Sequence, residues 1–316
     1  MSNISVSNIS HHQCAVNRAI LLSSSSSTAK SYYLSISMLA FTMTPVTVII
    51  NCIFMATLLS QKIIYKSLSN KLLMVLCMVD LLQGISTWPI TAANSFIFYR
   101  FEINCFLLDL NHFLAHCLSQ LTVCAIFIVS LEQYIAILYP YFYISSVTFY
   151  RLLGPMLASN ILMTITNIVG AMKPIKNFYD YYNVTVLALG LPMVMALIYI
   201  HLRIIRCASQ VAARITTTNK EEGKQIKSRA RAAKSGLVVL VATLVCYCPY
   251  FCYIVYEKVI GPTAFTTNFI KYPATMFALL TSVTDPIIYF WRLKSLRKAT
   301  KDMFASLSKS KRVGHQ

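Results

Sequence analysis

Seven apolar segments, each close to the length of a helix that spans a lipid bilayer, restrict the fold of this chain more than any other feature. They cover approximately residues 34–60, 71–98, 105–139, 152–172, 184–208, 235–257 and 268–291. Hydrophobic residues make up 57% of the sequence. Charged residues make up only 12%, which is about half the share found in globular domains. The sequence therefore predicts an all-α membrane protein built as a bundle of seven transmembrane helices.

The distribution of basic residues predicts the orientation of the bundle. If the N-terminus is outside the cell, 21 of the 28 lysines and arginines fall in segments that face the cytoplasm. The positive-inside rule then places the N-terminus outside and the C-terminus inside, as in a multi-pass protein of the plasma membrane. The net charge of +18 does not indicate nucleic acid as a partner, because no compact basic domain with nucleic-acid-binding features is present.

Residues 1–33 are polar, include "SSSSST", and are predicted to form a disordered extracellular segment. Asn3 and Asn8 each begin an Asn-X-Ser triplet, which is an acceptor for N-linked glycosylation on the outer side. Cys14 and Cys105 are the two cysteines placed to meet an oxidising exterior, and they could form a disulfide bond, although sequence alone does not establish connectivity. The other eight cysteines lie in or at the ends of apolar segments and are interpreted as packing residues.

Residues 292–304 follow the last apolar segment and are predicted to form an amphipathic helix on the inner membrane surface. The apolar residues that share one face of this helix are Leu293, Leu296, Met303 and Phe304. Its basic side chains would contact anionic membrane lipids, which are a predicted partner. A solvated basic tail is the other interpretation. Residues 305–316 are predicted to be a cytoplasmic tail.

Two acidic residues, Asp80 and Asp285, lie in the middle of apolar segments, where a charge is costly and marks a candidate functional site. Two carboxylates at a similar depth would repel each other unless a proton or a cation lies between them. The hydroxyls of Thr122 and Ser282 lie at a comparable depth, so one hypothesis is an oxygen-lined Na⁺ site. The alternative is one protonated aspartic acid hydrogen-bonded to Asn51, without an ion. No other cofactor is predicted.

Prolines interrupt four of the apolar segments, at Pro89, Pro192, Pro249 and Pro286. Each proline removes a backbone donor and predicts a kink in its helix. In lipid such a residue is tolerated only where neighbouring groups or water satisfy the freed carbonyl. Kinks beside buried polar groups indicate helices that pivot between two packing arrangements.

The order of motifs along the chain resembles that of rhodopsin-like (class A) G-protein-coupled receptors. The matching elements are Asn51, "LCMVD" ending at Asp80, "LEQYIAILYP" after the third helix, Pro192, "CYCP" at 246–249 and "DPIIY" at 285–289. This resemblance implies a receptor domain over residues 34–291, a ligand pocket that opens outwards, and a cytoplasmic crevice for a heterotrimeric G protein. It also implies that Pro286 is a hinge of the seventh helix and that Tyr289 is a switch.

The inner end of the third segment departs from the family's Asp/Glu-Arg-Tyr motif, since it reads Glu132, Gln133, Tyr134. The arginine that pairs with the neighbouring acid in the family is absent, and Arg229 stands at a sixth-helix position that is often acidic. The usual ionic lock of the inactive receptor therefore cannot form. The resemblance then implies either elevated basal activity or weakened coupling, so a constitutively active or non-coupling receptor-like protein is the alternative function.

Some features narrow the resemblance within the family. The second outer loop, about residues 173–183, is short and lacks a cysteine, which is similar to the branch of melanocortin, adenosine and lipid receptors. Ala115 stands where amine receptors carry an aspartate, so the resemblance disfavours a monoamine ligand. Leu279 stands where opsins carry the lysine that binds retinal, so it also disfavours an opsin.

Asp109, His112 and His116 share one face of the third segment, because they are spaced i, i+3 and i+7. By the resemblance this face lines the outward pocket, where it could receive a cationic ligand group, sense pH or bind a metal ion. Hydrogen bonding between helices is the other interpretation, and no metal site is predicted. The resemblance adds Tyr247, Tyr250, Phe251, Tyr272 and Thr275 to the pocket, which would suit a small molecule, a lipid or a peptide.

Two further classes of function find little support in the sequence. No nucleophile–base pair and no metal-hydrolase motif indicates an enzyme. A transporter or channel is a remote alternative, because the sequence shows neither the inverted repeats nor the paired broken helices that are typical of transporters.

Overall fold

The computed structural model describes residues 27–60, 62–65, 67–172, 186–213, 220–261, 269–292, 296–303 and 305. For residues 220–237, and for some residues at helix ends, it describes the backbone alone. Helices run over Ser27–Ser60, Leu68–Ile85, Thr87–Tyr99, Cys105–Leu138, Pro140–Ser146, Phe149–Met172, Leu191–Ala213, Lys220–Ile260, Lys271–Leu279, Thr281–Arg292 and 296–303. The described residues contain no β-strand, which confirms the all-α prediction.

All seven predicted apolar segments form helices, and these helices belong to one bundle. Within the described residues, six segments are long and apolar enough to cross a membrane, and the second and the seventh each combine two consecutive helices. The fourth segment, Phe149–Met172, adds a helix of 24 residues that packs beside the third. The predicted seven-helix bundle is thus confirmed. We number these segments as the first to seventh helices. We call a helix end outer if the charge distribution predicts that it faces the exterior, and inner if it predicts that the end faces the cytoplasm.

The first helix begins at Ser27, so the prediction that residues up to 33 are disordered is wrong for its last part. The reason is packing: Ala29 and Tyr33 are buried against Phe98 of the second helix and Leu108 of the third. Burial of these side chains offsets the entropy lost when the backbone is ordered. Residues 1–26, with Asn3, Asn8 and Cys14, lie outside the described residues.

Two of the transmembrane segments are broken close to prolines that the sequence singled out. Ser86 separates the two parts of the second helix just before Pro89, and its hydroxyl donates to the carbonyl of Leu82. Leu280 separates the two parts of the seventh helix, and Pro286 lies in the second part. These breaks bring backbone carbonyls and polar side chains into the middle of the bundle, where the candidate site lies.

Other prolines lie in transmembrane helices without interrupting them. Pro45, Pro155 and Pro249 lie inside continuous helices, and Pro192 is the second residue of Leu191–Ala213, after a π-helical turn at Val186–Gly190. A proline therefore predicts a lost hydrogen bond in this chain more reliably than it predicts a break.

The inner half of the bundle is filled by one large apolar cluster. Every transmembrane helix contributes to it, and so does the helix 296–303. The sixth helix contributes Val239 and Leu240, and the seventh contributes Tyr289, all of which are buried. We call this cluster the inner core. The outer half contains only smaller clusters, which leaves room there for a cavity.

The apolar face of the helix 296–303 packs against the other helices, whereas the sequence predicted that this face lies on the membrane. Leu296 is 1% exposed and belongs to the inner core. Thr300 is also buried, and its hydroxyl lies 3.1 Å from the hydroxyl of Thr57 on the first helix. Lys298 and Lys301 point away and are exposed. The side chains of Leu293 and Phe304 lie outside the described part of the chain, so only part of the predicted apolar face can be placed.

This packing predicts that Leu296→Ala destabilises the protein. Removing a buried leucine side chain typically costs about 2–5 kcal/mol, so the apparent melting temperature of the purified protein should fall clearly. Lys298→Ala, on the exposed face of the same helix, is the matched control and should leave the melting temperature nearly unchanged. Equal melting temperatures of the two variants would mean that Leu296 faces lipid instead of the inner core.

Candidate functional site

Two fully buried carboxylates form the centre of the bundle. Asp80 of the second helix is 0% exposed and Asp285 of the seventh is 1% exposed. Among the residues that the structure describes, none of their four oxygen atoms has a hydrogen-bond partner. An ionised carboxylate buried without partners is very costly, so protons or a cation must neutralise this pair. The two acids that the sequence singled out thus form a buried group of acidic oxygens without partners among the described residues.

Asn51 is hydrogen-bonded, but to groups other than the aspartates. Its Nδ2 donates to the carbonyl of Thr47 and, across the bundle, to the carbonyl of Ser282, both at 2.9 Å. Its Oδ1 accepts from the thiol of Cys77 at 3.1 Å. In the described part of the chain, Asn51 therefore does not form the bond to an aspartic acid that the alternative included, while neutralisation of the pair by a proton or by an ion stays a prediction.

Pro286 explains why Asn51 reaches across to Ser282. A helix normally pairs the N–H of residue 286 with the carbonyl of residue 282, and a proline has no N–H to offer. The amide of Asn51 donates to that freed carbonyl at 2.9 Å. In a lipid environment the carbonyl needs such a partner, so the pairing ties the first helix to the seventh.

Four further buried polar side chains, on the second, third and seventh helices, form two separate hydrogen-bonded pairs. Trp88 Nε1 donates to the hydroxyl of Ser282 at 3.2 Å, and Gln83 Nε2 donates to the hydroxyl of Thr122 at 3.3 Å. Both hydroxyls in turn donate to carbonyls of their own helices. Hydrogen bonds thus fix the orientations of the hydroxyls of Thr122 and Ser282, and their part in an ion site stays a prediction.

Gln83 and Trp88 were not predicted as site residues. Gln83 could have been found, because it lies one helical turn after Asp80 and so shares its face of the second helix. Trp88 gives no such signal, because its place next to Ser282 depends on the break of the second helix at Ser86.

An elongated cavity opens between the third, fifth, sixth and seventh helices, above the central carboxylates. Its empty space, counting the open mouth, amounts to about 790 Å³. Its lining consists of His112, Ala115, His116, Ser119, Gln120, Val123, Gly190, Tyr247, Tyr250, Phe251, Tyr253, Glu257, Lys271, Thr275 and Ala278. About half of these side chains are apolar or aromatic, and the others, which are polar or charged, come from the third, sixth and seventh helices.

Most of the predicted pocket residues line this cavity. His112 and His116 lie on its third-helix wall, and the hydroxyl of Tyr250 lies 3.4 Å from Nε2 of His116. Tyr247 is buried, and its hydroxyl donates to the carbonyl of Ser119 at 3.4 Å. The remaining predicted residues on the wall are Phe251 and Thr275. The histidine pair thus meets the aromatic side chains of the sixth helix, as the family-derived placement implied.

Two predicted pocket residues lie elsewhere. Asp109 is exposed and does not line the cavity, because it lies nearly one turn beyond His112 towards the helix end. Tyr272 packs edge-on against Tyr33 and Phe98, with ring centroids 6.1 and 5.8 Å apart, and faces the first and second helices. Both predictions are therefore wrong as statements about this cavity.

The two charged residues of the cavity wall, Glu257 and Lys271, escaped prediction. They lie at the outer ends of the sixth and seventh helices, so both are near the cavity mouth. The available signal was Lys271 itself, a lone base at the start of an otherwise apolar segment. Glu257 lies just beyond the most apolar part of its helix, where a charge is ordinary.

At the inner end of the third helix, Glu132 is buried and holds two hydroxyl groups. Its Oε2 accepts from Ser69 at 2.7 Å and its Oε1 accepts from Tyr143 at 2.6 Å. Burial and the hydrogen bond to Glu132 raise the pKa of Tyr143 above its usual value, so the phenol stays protonated and remains a donor. Within the described part of the chain, Glu132 forms no ion pair, in keeping with Gln133 in the next position.

The remaining predicted residues of the inner end are placed as follows. Gln133 is half-buried, and Tyr134 packs against Ile200 and Ile204 of the fifth helix. Arg229 lies in the backbone-only part of the sixth helix, so its side chain is outside the described residues. These placements leave the predicted roles of Gln133, Tyr134 and Arg229 in coupling as predictions.

Cysteines and metal ligands complete the description of possible sites. Cys105 is disulfide-bonded, and eight other cysteines are free thiols. Cys14 lies outside the described residues, so the predicted pairing with Cys105 stays a prediction. Within the part of the chain that the structure describes, no three His, Cys, Asp or Glu side chains converge in a way that could hold a metal ion. The oxygen groups around Asp80 and Asp285 fit a hard cation instead.

Comparison with known proteins adds one match. The family model for the 7 transmembrane receptor (rhodopsin family) matches residues 51–289. This range begins at Asn51 and ends at Tyr289, so it contains the central carboxylates and the whole cavity wall. No curated protein matches the sequence.

The bond from Asn51 to the carbonyl of Ser282 predicts a non-additive pair of substitutions. Asn51→Ala leaves a buried carbonyl unpaired, which costs about 1–3 kcal/mol and should lower the apparent melting temperature. Pro286→Ala restores the missing N–H, so Asn51→Ala should cost clearly less in that background. Thr44→Val is the control, because the hydroxyl of Thr44 bonds only within its own helix. Strictly additive effects of Asn51→Ala and Pro286→Ala would contradict this account.

Proposed function

Because the chain belongs to the rhodopsin family of seven-transmembrane receptors, we propose that it transduces the binding of an extracellular ligand to heterotrimeric G proteins. The multi-pass bundle would lie in the plasma membrane with its N-terminus outside, as the distribution of basic residues predicts. The single observation that carries the proposal is the position of the cavity directly above the central carboxylates.

The cavity floor and the polar centre share stretches of the third and seventh helices, whereas Asp80 lies on the second helix, which is not among those that line the cavity. On the third helix, Ser119 and Val123 line the cavity while Thr122 belongs to the centre. On the seventh, Ala278 lines the cavity and lies within one turn of Ser282. A ligand that displaced the floor would therefore shift the helices that hold the polar centre. This is the physical route by which binding would bias two packing arrangements of the bundle.

The lining of the cavity limits the chemistry of the ligand. Aromatic side chains form its lower part, which suits an apolar group of the ligand. Lys271 and Glu257 provide both signs of charge near the mouth, and His112 and His116 add imidazole groups below them. The ligand of this receptor is therefore an amphipathic molecule whose charged or polar end lies at the mouth and whose apolar end lies deep.

Lys271→Ala is expected to weaken the potency of an agonist found by screening the protein with G-protein activation reporters. Loss of a hydrogen bond to a charged group corresponds to about tenfold or more in affinity. Asp109→Asn is the matched control, because this charged side chain lies at the same end of the bundle but outside the cavity. An agonist whose potency falls with Asp109→Asn and not with Lys271→Ala would bind at a different site.

The proposal includes a monovalent cation, Na⁺, as an allosteric ion at the central carboxylates. The oxygens of Asp80 and Asp285 would hold the ion, and the hydroxyls of Thr122 and Ser282 lie in the same polar layer. The ion would supply the positive charge that two buried carboxylates require. It would favour the packing in which the two acids are close, and so oppose an agonist that separates them.

Sodium is expected to raise the melting temperature of the purified protein when it replaces choline at equal ionic strength. A ligand present at ten times its dissociation constant stabilises a protein by about 1.4 kcal/mol, so the shift should be measurable. Asp80→Asn should abolish the difference between the two salts, whereas Asp109→Asn should retain it. An undiminished sodium response in Asp80→Asn would contradict the ion site.

The inner surface would meet the G protein and the lipid headgroups. Most of the lysines and arginines lie in inner segments, so this surface attracts acidic proteins and anionic lipids. Glu132, Gln133, Tyr134 and Arg229 would lie around the crevice that receives the G protein. Val239 and Leu240 of the sixth helix are buried in the inner core, so a movement of this helix that opened such a crevice would have to separate them from the other helices.

A further inference from the structure

The wall of the cavity carries more nitrogen bases than acids. Lys271 begins the outer part of the seventh helix, and His112 and His116 lie one turn apart on the third helix. Among the described residues of this wall, Glu257 is the one carboxylate. Asp109, the acid that the sequence placed beside the histidines, lies outside the cavity. We call Lys271, His112 and His116 the basic group.

The charges of the basic group are coupled to one another and to the acid of the wall. Lys271 interacts electrostatically with His112 and with His116. It also interacts electrostatically with Glu257 of the sixth helix. The lysine and the glutamate therefore offset each other, and a further positive charge on either imidazole would repel the lysine. A negative charge that enters this part of the cavity removes that repulsion and so favours the uptake of a proton.

Hydrogen bonds orient both imidazoles. His112 forms a hydrogen bond with the backbone of Leu108, one turn earlier on its own helix. Nε2 of His116 lies 3.4 Å from the hydroxyl of Tyr250. A neutral imidazole has one N–H, whereas a protonated one has two. Uptake of a proton therefore adds a charged donor to the wall, and a carboxylate oxygen is the acceptor that such a donor binds most strongly.

The rest of the cavity fits the body of an organic acid. Tyr247, Phe251 and Val123 belong to one apolar cluster at the cavity floor. Aromatic and aliphatic groups of a ligand would bury their surface there. Because the lysine is already offset by a glutamate, the wall suits one negative charge better than a phosphate group, which carries nearly two.

We propose that the cavity takes an organic acid whose single carboxylate binds at Lys271, and that the acid binds together with one proton taken up by His112 or His116. The apolar body of the acid lies on the aromatic side chains of the sixth helix. This inference deepens the proposed function and rests on it for the consequence of binding. Binding itself can be measured without a G protein.

The first test compares head groups on one and the same body. The probes are phenylbutanoic acid and dodecanoic acid, each with the primary amide and the amine of the same chain. The melting temperature of the full-length protein in lipid nanodiscs, followed against probe concentration, gives an apparent dissociation constant. At least one acid should bind about tenfold more tightly than its amide and its amine, because it gains bonds between charged groups. The proposal is overturned if neither acid shifts the melting temperature more than its amide does.

The second test uses two variants whose effects have opposite signs. Lys271→Gln should raise the dissociation constant of the acid about tenfold, because the bond to a charged group is lost. Glu257→Gln should lower it, because the lysine is then no longer offset by a carboxylate. An amine ligand would give the reverse pattern and would overturn the proposal. Asp109→Asn is the matched control, since this acid lies at the same end of the bundle but outside the cavity, and it should leave the constant unchanged.

The third test measures proton uptake. Between pH 8 and pH 6 the carboxylate of the probe stays ionised, so a change in its affinity reports on the protein. The uptake of one proton strengthens binding as the pH falls, by at most about tenfold per pH unit. The groups of the wall that can titrate are His112 and His116 on the third helix, Tyr247, Tyr250, Tyr253 and Glu257 on the sixth, and Lys271 on the seventh. Imidazole is the side chain of this set that ordinarily titrates in that range.

The double variant His112→Gln/His116→Gln identifies the site of uptake. It should bind the acid more weakly through Lys271 and should lose the pH dependence, because glutamine does not titrate. A pH dependence that persists in this variant would overturn the histidines as the site of uptake. Binding of the acid by the unchanged protein that does not vary between pH 8 and pH 6 would overturn the coupled proton.

Reporters of G-protein activation separate the ligand class from the proposed function. If an acid binds with the expected pattern in the variants and yet activates no G protein, the ligand class is supported and the proposed function fails. If amines or neutral compounds activate a G protein through the cavity while no acid binds there, the proposed function is supported and the ligand class is overturned.

Discussion

The bundle is organised around the cost of placing two carboxylates where water is absent. Asp80 and Asp285 are buried, and no group in the described part of the chain forms a hydrogen bond with their oxygens. Nearby donors exist, but they are committed: the amide of Asn51 to a carbonyl, and Trp88 and Gln83 to hydroxyls. The charge of the pair must therefore be balanced by protons or by an ion, and the free energy of the packed state depends on which is present. A site with that dependence is sensitive to any movement of the second helix relative to the seventh.

Around this centre the molecule is layered. The cavity lies above it, with a floor of Tyr247, Val123 and Ala278, and the inner core lies below it and includes Tyr289. Hydrogen bonds from side chains connect the helices where the helical backbone bonds are interrupted. One example is the bond from Asn51 to the carbonyl of Ser282, which Pro286 cannot pair with. A backbone carbonyl that is bonded to a side chain can change to another donor, whereas a carbonyl inside an intact helix keeps its backbone partner. Because these hydrogen bonds lie between cavity and inner core, displacement of one layer changes the contacts of the next.

The sequence was sufficient for the helices and for the buried polar residues, and physical reasons explain both. A membrane-spanning helix must be about 20 apolar residues long, so the seven segments stand out, and any polar residue within them is costly enough to be noticed, as Asp80 and Asp285 were. The sequence did not predict which side chains would bond to or pack against one another. Asn51 bonds to a carbonyl instead of an aspartate because Pro286 lacks the N–H that would otherwise pair with that carbonyl. Tyr272 lies away from the cavity because it packs against aromatic side chains of the first and second helices. The absence of the family's arginine was readable from Gln133, but the hydrogen bonds of Ser69 and Tyr143 to Glu132 depend on contacts between separate segments of the chain.

The inner end of the third helix shows how the bundle accommodates a further buried acid. Glu132 is buried, and its two oxygens accept the hydroxyls of Ser69 and Tyr143 at 2.7 and 2.6 Å. An ion pair at this position would require two charges to lose their hydration, and their attraction must repay both costs. Ser69 and Tyr143 bring no charge of their own, so only the charge of Glu132 is buried. Any movement that separates the second helix from the third would remove a donor from this carboxylate, and water or another donor would have to take its place.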